Sequence, residues 1–183
     1  MTTNATSDDP VARTRQWLER AVIGLNLCPF AKAVTVRDQV RFVCSDATTP
    51  EALLEALAAE LAHLRDVAPG QTDTTLLIHP QVLGDFLDYN DFLDLADALV
   101  EDMGLEGVLQ VASFHPGYRF ADAGADDIGN FTNRSPYPTL HLLREDSVTR
   151  AVGAYPDPDV IVERNLRTLE GLGHAGWRRL FED

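Results

Sequence analysis

The chain has 183 residues, 45% of them hydrophobic and 24% charged, with 15 Lys and Arg against 29 Asp and Glu for a net charge of −14. That length fits one domain with a sizeable core, and the acidic balance argues against a nucleic-acid groove or an anionic membrane surface, which both call for cationic surface. No apolar run is long enough to span a bilayer, and the polar start MTTNATSDDP lacks the basic and apolar regions of a signal peptide, so the expected location is the cytoplasm.

Residues 1–8 read as a frayed tail and 9–183 as a single α/β domain. Asp9-Pro10 has the form of a helix start, an Asp cap followed by Pro at the first helical position. Val11, Thr14, Leu18, Ala21 and Leu25 then recur at helical spacing, predicting a helix over 10–24 that Cys28-Pro29 stops. In AVTVRDQVRFVCSD, Val34 and Val36, then Val40 and Phe42, alternate with polar residues around Arg37-Asp38-Gln39. This predicts a hairpin with strands near 33–37 and 40–44, a single longer strand being the alternative. Thr49-Pro50 opens a second helix with Leu53, Leu57, Leu61 and Leu64 as its stripe and Pro69-Gly70 as its end. Thr74–His79 reads as a buried strand. Residues 83–103 read as a third helix, with Tyr89, Phe92, Ala96, Leu99 and Met103 on one face and Gly104 after its end. Strands follow at Val108–Phe114 and Leu140–Glu145, separated by a loop over 115–139 of a length expected of functional or disordered segments. Helices over 146–155 and 157–173, the second opened by Asp157-Pro158, close the chain. The alternation predicts an α/β fold: a mixed, mainly parallel sheet with helices packed on it in two or three layers.

Loops that follow parallel strands gather at the carboxyl edge of the sheet, where α/β proteins bind ligands. Two of them begin alike, His79-Pro80 and His115-Pro116. Cys28 joins that edge if the early hairpin forms, and the 130–144 segment joins it if the last strand is antiparallel to 108–114. The leading reading is a thiol-dependent transferase or hydrolase acting on a small anionic metabolite. Cys28 would be the nucleophile, His115 the general base and His79 an orienting or second base. Asn130, Asn133, Arg134, Tyr137, His141 and Arg144 would hold the anionic group. A second reading is a zinc or iron site built from Cys28, His79, His115 and His141, since thiolate and imidazole suit those metals. A third is a non-catalytic binding or assembly protein anchored by Phe120, Phe131 and Tyr137. None of the familiar nucleotide-binding motifs occurs, so no cofactor is specified, and nothing in the chain sets an oligomeric state.

GLNLCPFA (24–31), HPQVLGDFLDYNDFLDLAD (79–97), QVASFHPGYRFA (110–121) and NFTNRSPYPTLHLLRE (130–145) are the most distinctive segments. Through them, residues 12–170 resemble a bacterial domain-of-unknown-function family, number 1415. The resemblance implies a bacterial cytoplasmic protein and supplies no activity, cofactor or catalytic residue. Its signature segments coincide with the loops that the topology selects.

Overall fold

The computed structural model describes residues 9–155, 157 and 159–182. The expected tail at 1–8 and the Pro158 helix start lie outside them. Asp9 caps helix α1 (Pro10–Trp17), its side chain accepting the Val11 N–H at 3.1 Å. The helix runs on without a break into a wider, π-helical stretch, Leu18–Ile23, that buries Leu18, Ala21 and Val22.

The expected hairpin is replaced by a short helix, α2 (Ala31–Val36), and one strand, β1 (Val40–Cys44). The reason lies in spacing. Ala31, Val34 and Thr35 fall on one helical face and turn inward together, whereas Val36, half of the apparent alternation, is 76% exposed. Asp38 adopts a left-handed conformation (φ 56°) and redirects the chain into β1.

Helix α3 (Pro50–Asp66) is capped by Thr49 and buries Leu53, Leu57, Leu61 and Leu64. Strand β2 (Thr74–Ile78) is buried throughout. Helix α4 (Phe86–Asp102) starts later than the sequence suggested, because Asp85 caps it through the Leu87 and Asp88 N–H groups. Gly104 follows its end at φ 68°, where a side chain would be strained. Strand β3 (Leu109–Phe114) leads into the long loop, which contains a 3₁₀ helix (Ile128–Asn133), and strand β4 (Thr139–Arg144) leads into α5 (Glu145–Gly153) and the kinked α6 (Asp159–Arg179).

The sheet order is β1-β2-β4-β3. β1 and β2 are parallel, and β4 is antiparallel to both its neighbours. Three strands therefore point one way, but the single reversed strand sits between β2 and β3, so β1 and β2 form the one parallel pair of neighbours. The loop after β3 is long enough to turn the chain back and insert β4 there.

Helices cover both faces, giving three layers. On one face the α3 leucines and Tyr89, Phe92, Ala96 and Val100 of α4 pack against Leu77, Leu109, Leu140 and Leu142. On the other, Trp17, Leu18, Ala21, Val22, Leu27, Leu169 and Trp177 form a second core with Val40, Phe42 and Phe114. Alternation along β4 sends Leu140 and Leu142 to the first core, and His141 and Leu143 to the opposite face.

Candidate functional site

The carboxyl ends of β1, β2 and β3 share one edge, and β4 begins there, with Thr139 opposite both Ile78 and Phe114. His79 and His115 both stand at this edge on the α4 side, flanking Tyr89 at ring distances of 5.8 Å and 4.9 Å. Three of their four ring nitrogens are engaged by backbone. His79 Nδ1 donates to Val82 O at 3.0 Å, and His115 Nε2 donates to Leu83 O at 3.0 Å. Both imidazoles thus tether one turn, in which Leu83 is held at φ 58°. His115 Nδ1 accepts the Gly117 N–H at 2.9 Å, so the lone pair a general base needs is already engaged. His79 Nε2 is buried with no partner among the described residues. Burial pushes the His79 pKa down to about 4 and lowers that of His115, so both rings stay neutral at neutral pH.

The expected anion cradle is an internal brace. Asn130, fully buried, accepts the Phe120 N–H and donates to Gly124 O at 2.8 Å. Asn133 donates to Ser113 O. Arg134 donates to Tyr118 O and Ala125 O and lies over the Phe131 ring at 4.6 Å. Arg144 donates to Val67 O and Thr72 O, tying the end of α3 to the sheet. Tyr137 meets Arg13 at the margin of hydrogen-bond distance, 3.5 Å. These donors are committed to backbone carbonyls, which explains why a long loop is ordered. Asn130→Ala is accordingly expected to cost about 1–3 kcal/mol, since two loop backbone groups lose their partner and, being only part-buried, regain some of that bonding from water. Chemical denaturation measures it, and unchanged stability would remove the bracing role. Of the suggested docking aromatics, Phe131 packs on Trp177 and His174 instead of facing outward, while Phe120 is 42% exposed.

Cys28 is not brought to these histidines. With 31–36 helical, the 24–30 segment lies over the opposite face, where Arg164 and Asn165 of α6 donate to Asn26 O and Leu27 O, both at 2.7 Å. There Cys28, exposed, borders a cavity of about 360 Å³ between the sheet, α1, α2 and α5. His141 lines the same cavity, so of the four proposed metal ligands Cys28 and His141 share one face and His79 and His115 the other. Among the described residues no three His, Cys, Asp or Glu side chains are grouped to hold a metal ion.

The cavity walls are mostly apolar: Trp17, Leu18, Val22, Phe30, Val34, Leu76, Phe114, Leu143 and Val148. Its hydroxyls are committed elsewhere, Thr35 to Ala31 O and Ser147 to Asp73. His141 Nε2 meets Thr74 Oγ1 at 2.7 Å, and Thr74 Oγ1 meets Leu142 O at 2.7 Å. Two acceptors that close need a proton between them, and Thr74 has only one. That proton goes to Leu142 O, so His141 carries its own on Nε2. His141 Nδ1 is left as an acceptor without a protein partner. Burial lowers the His141 pKa to about 4, so this ring is neutral too. Sequence reasoning named Cys28 and His141 but missed Trp17 and Thr74. The legible signals were the place of Trp17 beside the Thr14, Leu18 and Ala21 stripe, and a lone imidazole at an alternate position of a leucine-rich strand.

Fold and cavity together define a three-layer α/β protein with a mainly apolar cavity on one sheet face. The family model described as "Protein of unknown function (DUF1415)" matches residues 9–179, and the chain belongs to that family. No curated protein and no solved structure matches it. No helix among the described residues is long and apolar enough to cross a membrane.

Proposed function

We propose that this protein binds a small, mainly apolar organic molecule in the cavity under α1, α2 and α5, with the exposed Cys28 thiol at the cavity margin beside it. The observation that carries the reading is an imidazole, His141, set into mostly apolar walls. The half-buried His141 keeps Nδ1 without a partner among the described residues, an arrangement open to a ligand that donates a hydrogen bond. The volume, about 360 Å³, suits a small ligand. An anionic metabolite is the weaker reading, because Arg134 and Arg144 serve backbone carbonyls and the His141 ring is uncharged. A bacterial cytoplasmic setting, reducing and free of disulfides, would keep the thiol available.

The second cysteine provides an internal reference. Cys44 ends β1 away from the cavity, and burial, aided by Asp9 and Asp46, pushes its thiol pKa up. An apolar reagent that enters the cavity is concentrated beside Cys28. The ratio of N-cyclohexylmaleimide to iodoacetamide modification rates should be about tenfold higher at Cys28 than at Cys44. Ala151→Phe, which fills the cavity from α5, should bring the two ratios together, as peptide mass spectrometry would read. Equal ratios in the unaltered protein would remove the proposal.

A further inference from the structure

The cavity's polar chemistry narrows its ligand beyond size and apolarity. The Thr74 hydroxyl donates to Leu142 O, which obliges His141 to donate through Nε2 and presents Nδ1 as an acceptor only. No hydrogen bond reaches Nδ1 from any described residue. Its surroundings are aromatic: the Phe114 ring lies 5.6 Å from the His141 ring and in turn packs edge-on against Trp17 at 5.0 Å. Trp17 also lines the cavity, is 2% exposed, and its Nε1–H meets no acceptor among the described residues. The pocket therefore presents an unused acceptor within aromatic and aliphatic walls, while the Trp17 Nε1–H is buried behind them. No Lys or Arg is among its lining residues.

We infer that the cavity selects a neutral, hydroxyl-bearing aromatic molecule, a phenol or aryl alcohol, whose O–H donates to His141 Nδ1. The inference rests on the cavity being a ligand site, as proposed above. A carboxylate ligand offers no proton to Nδ1 and meets no cation. An ether or hydrocarbon of the same shape fills the volume and leaves Nδ1 unsatisfied. A hydroxyl donates to the imidazole and satisfies it.

The test is titration of the full chain with 4-propylphenol, 4-propylanisole, propylbenzene and 4-propylbenzoate, followed by NMR. The phenol should bind about tenfold tighter than the anisole or the hydrocarbon, the factor for one neutral hydrogen bond to a buried group. In His141→Phe the phenol's advantage should vanish while propylbenzene still binds. Nitrogen chemical shifts of His141 should place its proton on Nε2, a readout that needs no variant to fold. Equal affinity for phenol and hydrocarbon, tightest binding of the benzoate, or a proton on Nδ1 would overturn the inference and leave the cavity as a plain apolar site. Binding of none of the four would overturn the cavity reading as well.

Discussion

Tyr89→Phe is expected to lower the unfolding free energy by about 2–6 kcal/mol, although Tyr89 does not line the cavity beside His141 and its ring is preserved. Tyr89 is fully buried. Its hydroxyl donates to Thr139 O at 2.8 Å and accepts the Phe114 N–H at 3.1 Å. One oxygen thus pins the end of β3 and the start of β4 at the point where β4 enters between β2 and β3. Losing it leaves a buried carbonyl and an amide without partners, and each such group costs about 1–3 kcal/mol. Truncation to Ala should cost about 3–5 kcal/mol more, because the ring between His79 and His115 then becomes a void. Urea unfolding would show the Phe effect as a lower midpoint at unchanged slope. A shift worth less than about 1 kcal/mol would mean that water reaches these groups and that the hydroxyl is not the pin.

Acidification should destabilise the fold well above the range where carboxylates titrate. His79 and His141 have folded pKa values of about 4, against 6.5 for the free side chain. Between those values the unfolded chain binds protons that the native state refuses, so stability rises with pH there. Their contribution is complete above pH 6.5 and is lost as pH falls toward 4. By pH 5 each histidine should have removed about 2 kcal/mol. His141 borders a cavity, so hydration would make its share the smaller. Stability measured at pH 7 and pH 5 should therefore differ by several kcal/mol in the natural chain and by distinctly less in His141→Phe. Identical pH dependence in the two proteins would mean that His141 is not held neutral by the fold. Above pH 7 neither histidine contributes a slope.

Much of the secondary structure follows from local signals because those signals are short-range. Asp9-Pro10, Thr49-Pro50 and Asp85 act as caps through their own side chains, and the leucines of α3 need only helical spacing to share a face. The 31–36 segment is ambiguous for the same reason. Six residues with two valines at alternate positions satisfy a strand pattern, and they also fit a helix when Ala31, Val34 and Thr35 find a wall to pack against. Local preference could not choose, and tertiary contact did.

The site divides along that line too. Residue types and their spacing were enough to pick out the groups with chemistry to offer, namely Cys28, the three strand-associated histidines and the polar 130–144 run, and to assign them to an α/β chain with a long loop after its third strand. Only the tertiary structure decided their assignments. It placed His79 and His115 on one side of the sheet as tethers of the turn at 82–83, and Asn130, Arg134 and Arg144 as braces on carbonyls. It left Cys28 and His141 facing one apolar cavity on the other side. The physical reason is that a polar side chain's role depends on which partners reach it. In this chain those partners are backbone groups brought close by strand order and by the helix at 31–36, contacts between residues far apart in the chain that no spacing rule encodes.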